Sequence, residues 1–181
     1  LIILAKWFQG KGKYMKEDLL SLLNQLRSEK KKKFNRHVSI QDLLSDRWET
    51  ASFYGFGEGT SCYNNVLIIG DVKVGKNTWI GPNVILDGSG GLEIGDFVSI
   101  SAGVQIYTHD SLDWSHSMGK KPGKIMSTKI GNGVYLGPNS IIQMGITIND
   151  KAIIGAMSFV NKDIPFARKW YGTSLRWLEL E

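Results

Sequence analysis

The stretch "KIGNGVYLGPNSIIQMGITINDKAIIGAMSFV" (Lys129–Val160) places an aliphatic side chain at every sixth position: Ile130, Leu136, Ile142, Ile148, Ile154 and Val160. The same count runs upstream through Ile68, Val74, Ile80 and Leu86, slips by two residues, and resumes at Ile94, Ile100 and Ile106. Two residues before these positions stands a second column of mostly small or β-branched residues, including Val72, Thr78, Val84, Val98, Val104, Thr128, Val134, Ser140, Ala152 and Ser158. Glycine follows at 75, 81, 95, 131, 137 and 155.

A period of six is neither the 3.6 of a helix nor the 2 of a simple alternating strand. It is the mark of a β-helix built from hexapeptides, in which short parallel strands meet at tight corners and stack coil on coil. The aliphatic residue fills the interior, the small residue leaves room for it, and glycine eases the corner. A sandwich of alternating strands would not keep so many aliphatic positions in phase.

Before the repeat, "KEDLLSLLNQLRSEKKK" reads as an amphipathic helix with Leu19, Leu22, Leu23 and Leu26 on one face. "SIQDLLSDRWE" reads as a shorter helix opened by Ser39 and Asp42, a variant of the capping box. Helices here would close an otherwise open end of the solenoid. The expected division is therefore a helical cap over 1–60, the β-helix over 61–165 with a projecting loop over 107–129, and a C-terminal arm over 166–181.

The 181 residues, 42% hydrophobic, suffice for one domain with a true core. The net charge of +5 is spread along the chain apart from Lys30–Lys33, which reads as a helix end or a solvated run, not a nucleic-acid site. Cys62 is the single cysteine and sits at a repeat position. It reads as a small buried thiol, excludes an internal disulfide and fits a reducing, cytoplasmic setting. The opening "LIILAKWFQ" is too short to span a bilayer. Residues ahead of Met15 are open to two readings, the tail of a longer chain or sequence before a start at Met15.

Three hexapeptides complete a triangular coil, so every third repeat stacks on one edge. One column is Ile68, Leu86, Ile106, Ile142 and Val160, and none of its members is followed by glycine. The residues that follow are Ile69, Asp87, Tyr107, Gln143 and Asn161. Both interruptions of the count fall on this edge: "LDGSGGL" and the segment after Ile106, which carries His109 and His116. That segment spans four times six residues and has room for a hidden coil. Lys124 breaks its count, and Asp110, His116 and Pro122 occupy places for small apolar residues, so a projecting loop is the better account.

"ISAGVQIYTHD", "KIGNGVYLGPNSII" and "IGAMSFVNKDIP" together resemble the hexapeptide-repeat acyltransferases, in particular the sugar and polysaccharide O-acetyltransferase branch, from about Gly70 to Arg176. The resemblance implies an all-β, left-handed parallel β-helix, a homotrimer with sites between neighbouring prisms, and acetyl-CoA as acyl donor without a metal. It implies His109 as general base, Tyr135 where relatives often carry a Trp facing the CoA, and Ala156, Asn161, Lys162 and Arg176 along the CoA channel. Two places depart from the pattern. "YGTSLR" has Ser174 in place of the usual Pro, and "WIGPNVILD" stands where free-sugar enzymes carry an Asn-Phe-Asn segment.

Acetyl transfer to a hydroxyl needs a base near neutrality, which histidine, with an unperturbed pKa of about 6.5, supplies. Asp110 or Asp87 is placed to orient the ring. Asp87, one coil away on the same edge, is favoured for binding the acceptor or the histidine, with Asp110 and His116 as further acceptor contacts. The expected acceptor is a sugar hydroxyl of a cell-envelope glycan or its precursor. The apolar start and basic helix end fit peripheral association with an anionic membrane. The rival readings are N-acetylation of a nucleotide-linked amino sugar, a non-catalytic β-helix scaffold, and a zinc carbonic anhydrase on the same fold, which needs three gathered histidines.

Overall fold

The computed structural model describes residues 2–172, and of residues 2–14 the helical backbone alone. The chain divides into two compact units, Leu1–Asp46 and Arg47–Glu181.

In the first unit, helix α1 runs over Ile2–Phe34 and α2 over Ile40–Leu44. The helix expected from the leucine spacing is present and longer than the pattern that announced it. Leu23 is buried, while Leu19 and Leu22 remain exposed. Ser39 caps α2: its hydroxyl accepts from the Asp42 N–H and donates to the Asp42 carboxylate at 2.8 Å. Ser39 thus serves as the N-cap that the Ser39/Asp42 spacing implied.

The second unit opens with α3 (Arg47–Phe53) and is otherwise a parallel β-solenoid of about six turns. The first face stacks Ser61–Cys62, Trp79–Ile80, Ser99–Ile100, Tyr135–Leu136, Ile153–Ile154 and Lys169–Trp170 in that order. The second aligns Ile68, Leu86, Ile106, Ile142 and Val160, the column read from the sixfold count. The third aligns Val74, Ile94, Ile130 and Ile148, with Ile164 bridged to Ile148. Each alignment is parallel and in register across coils whose lengths differ.

The core is these columns. Leu86, Ile106, Leu136, Ile142, Ile148, Ile154 and Val160 have no exposed surface, and Val84, Val104, Thr78, Thr128, Ser140 and Ala152 fill the places between them. Thr78 and Thr128 donate to backbone carbonyls and so satisfy their buried hydroxyls. Cys62 is buried in the same cluster. Ala51 and Phe56 also belong to it, so the first coil meets apolar side chains at its open end.

The solenoid runs further than the sixfold count announced. Lys169–Trp170 pairs with Ile153–Ile154 and begins another coil where an arm was expected from residue 166. The step from Ile154 to Trp170 is sixteen residues instead of eighteen because the step from Val160 to Ile164 is four residues instead of six, and this shortened corner conceals the coil from a strict count. Arg176 and Ser174 lie outside the described residues.

Candidate active site

The distinct edge of the prism is the corner that follows the second face. Here strand Leu67–Val74 pairs with strand Ile85–Ile94 through Gly70↔Gly88 and then Val72↔Leu92. One residue, Asp71, turns the lower corner; Ser89, Gly90 and Gly91 turn the upper one. The two extra residues are the slip in the sixfold count.

One coil above, the chain leaves the solenoid after Ile106. His109–Asp110 forms an antiparallel pair with Lys124–Ile125, and the connection carries the short helix α4 (Leu112–His116). Leu112 and Met118, the two residues that kept the sixfold count, are exposed. The segment is thus a projecting hairpin and not a hidden coil. Its base is clasped to the solenoid by Thr128 Oγ1 donating to Tyr107 O at 2.9 Å, and its two arms are joined by Met126 N donating to Thr108 O at 2.8 Å. The regular strand resumes at Thr128.

The bulge and the hairpin meet at Asp87. Its carboxylate is fully buried, and Oδ2 lies 2.6 Å from His109 Nδ1. Oδ2 also accepts from Thr108 N at 2.7 Å and His109 N at 3.1 Å. Oδ1 accepts from the Ser89 N–H at 3.0 Å and the Ser89 hydroxyl at 2.6 Å. Burial by itself would raise the carboxyl pKa. The donors from Ser89, Thr108 and His109 outweigh it and hold Asp87 well below the usual carboxylate range. A buried anion fixed in this way accepts a proton-bearing Nδ1, which selects one tautomer of His109 and leaves Nε2 to accept a proton.

Of the residues singled out from sequence, Asp87 and His109 are brought into contact. Asp87 offers an acceptor no surface. Asp110 sits across the hairpin from Lys124, and its carboxylate accepts from Leu112 N at 3.1 Å, which ties it to the start of α4. His116 ends α4 and is exposed. Asn161 lies on the His109 edge, two coils above Tyr107, or about 10 Å at the usual spacing between strands. Lys162 follows it, with Nζ 4.7 Å from the centre of the Trp170 ring. Tyr135 is an exposed member of the first face, and Ala156 is exposed at the corner beyond that face. Within one chain these two stand on a different side of the prism from His109.

Ser89 and Thr108 were not singled out from sequence. Their signals were the slip inside "LDGSGGL" and the Thr of "YTHD". Among the described residues, no group of three or more His, Cys, Asp and Glu side chains is placed to hold a metal ion.

Two family models match the chain: "Bacterial transferase hexapeptide (six repeats)" over residues 127–162 and "Hexapeptide repeat of succinyl-transferase" over residues 71–108. The chain is 30% identical over 112 residues to the galactoside O-acetyltransferase of Escherichia coli (strain K12), covering 51% of this chain and 55% of that protein. It thus spans about half the length of this curated relative. A maltose O-acetyltransferase structure from Clostridium difficile 630 superposes with a TM-score of 0.61 at 25% identity, covering 88% of this chain and 82% of that one. A hexapeptide-repeat-containing acetyltransferase from Vibrio cholerae gives a TM-score of 0.59 at 26% identity, covering 90% and 92%. The Vibrio protein also has a structure in complex with acetyl coenzyme A, which matches at a TM-score of 0.50 and 23% identity over 88% and 86%. Hexapeptide models match on both sides of the hairpin and these acetyltransferases share the solenoid, so the chain is a hexapeptide-repeat β-solenoid similar to the hexapeptide-repeat acetyltransferases.

Proposed function

We propose that the protein is an acetyl-CoA-dependent O-acetyltransferase acting on a sugar hydroxyl of a cell-envelope glycan or its precursor, with His109 as general base. The observation that carries this reading is the contact of 2.6 Å between His109 Nδ1 and the buried carboxylate of Asp87. The ring is held on one side and 43% of the side chain is exposed on the other, where a hydroxyl can approach.

The reaction balances as follows. Nε2 takes the proton of the acceptor hydroxyl while its oxygen attacks the thioester carbonyl. The tetrahedral intermediate collapses and expels CoA as thiolate, and the imidazolium returns its proton to the sulfur. Asp87, an anion fixed by protein donors, stabilises the imidazolium formed midway. Lys162, Arg168 and Lys169 are exposed on the last coils, where they can meet the negative charges of CoA.

Tyr135 and Ala156 lie on a different side of one prism from His109. The CoA contacts assigned to them therefore require a neighbouring copy, and a homotrimer supplies one. No described helix is long and apolar enough to cross a membrane. Peripheral association at the cytoplasmic surface is the placement that suits a lipid-linked acceptor and the basic end of α1.

The test is release of free thiol from acetyl-CoA, measured across hydroxyl sugars, envelope oligosaccharides and nucleotide-linked amino sugars. Turnover with hydroxyl acceptors supports the reading. Much faster turnover of amino sugars would replace it with N-acetylation, and CoA binding without turnover of any acceptor would favour a scaffold.

A further inference from the structure

The corner beneath His109 is longer than its function as a corner requires. Asp71 alone turns the same corner one coil below, between Gly70 and Val72. The Ser89–Gly91 bulge spends two residues more, and in a packed solenoid such insertions are designed features. Its glycines are demanded by close approach: a side chain on Gly88 would run into the Asp71 carbonyl, and a Cβ on Gly90 would stand 2.8 Å from Thr108 O.

The bulge aims donors. Ser89 gives both its N–H and its hydroxyl to Asp87 Oδ1, and Gly90 N donates to Thr108 Oγ1 at 2.8 Å. The Thr108 hydroxyl in turn donates to Asp87 O at 2.8 Å. Ser89 thus holds Oδ1 on its own, while Oδ2, which also accepts from the Thr108 and His109 N–H groups, faces the imidazole. We propose that the bulge is a cradle for the Asp87 carboxylate, and that Ser89 is a positioning residue whose paired donation fixes the carboxylate plane so that Oδ2 faces His109 Nδ1. This inference rests on the reading of His109 as the base. Ser89 itself is exposed at the tip of the bulge, so removing its hydroxyl leaves the core untouched.

The experiment compares the full chain with Ser89→Ala, Ser89→Thr and His109→Ala. Ring ¹⁵N shifts of His109 are recorded at alkaline pH, where imidazole is neutral, beside kcat and KM for acetyl-CoA. The wild-type ring should be the Nδ1–H tautomer. Ser89→Ala should show a mixture of tautomers and a kcat lower by about tenfold, the effect of one hydrogen bond to a charged group. KM for acetyl-CoA should stay within about twofold, and Ser89→Thr should restore both tautomer and rate. A Ser89→Ala ring that keeps the wild-type tautomer overturns the cradle, whatever happens to kcat. If the tautomer shifts while His109→Ala remains active, the cradle stands and the assignment of His109 as base fails instead.

Discussion

The regular coils over residues 129–160 and the interrupted edge over residues 87–128 are cut from the same repeat but hold their corners differently. In the regular coils the corners close mainly with backbone bonds between successive turns, such as Gly137 N to Ile154 O and Gly155 N to Trp170 O, each at 2.8 Å. At the interrupted edge a buried carboxylate takes that place, drawing donors from Ser89, Thr108 and His109. Where the period holds, aliphatic side chains fill the core, and corner side chains such as that of Asp150 accept from single backbone N–H groups near the surface. Where it breaks, polar groups converge on one charge, and that charge faces the ring of His109.

The difference can be broken from either side. The largest effect on activity apart from removing His109 belongs to Asp87→Asn, which supplies a donor where an acceptor is required. It should lower kcat by about 10²–10⁴, in line with the loss of tautomer control in a histidine–carboxylate pair, while CoA affinity changes little. Leu136→Ala makes the opposite cut. Leu136 has no exposed surface, so the variant should lose about 2–5 kcal/mol of stability in denaturant melts and retain most of its activity per folded molecule. An Asp87→Asn protein with full kcat, or a Leu136→Ala protein that is fully stable but inactive, would undo the division of labour.

Acid titration sharpens it further. The pKa of Asp87 is depressed in the fold from an ordinary value of 3.8. Its contribution to stability is therefore fully present above about that pH and is lost only as the pH falls through the depressed folded value. The stability advantage of wild type over Asp87→Asn should not decay between neutrality and about pH 4 and should shrink below it. A difference that already decays near pH 6 would mean that the carboxylate is not the paired anion described. The smallest effect is expected from His116→Ala, at most a fewfold change in kcat, because His116 is exposed at the end of α4. A loss equal to that of His109→Ala would place both histidines at one centre.

The sixfold count made the solenoid legible and even named the column Ile68–Leu86–Ile106–Ile142–Val160, because a coil of constant length converts spacing directly into stacking. It failed where the length varies. Trp170 falls outside the count because the corner between Val160 and Ile164 is two residues short. The hairpin of His109–Asp110 with Lys124–Ile125 joins residues across an irregular segment that no local pattern links. Asp87 could be put one coil from His109 by counting, but its choice between histidine and acceptor depends on where the bulge turns the carboxylate. That direction is set by Ser89 and Thr108, whose hydroxyls carry no periodic signal.

Transfer of the acceptor proton to His109, held by Asp87, is the step on which the proposed function rests. Its most direct test is kcat for thiol release by His109→Ala, measured with the dissociation constant for CoA on the same preparation. The account predicts a kcat lower by about 10²–10⁴, the usual contribution of a general base, with CoA bound as tightly as by the wild type. A His109→Ala protein that turns over hydroxyl acceptors at close to the wild-type rate would contradict it.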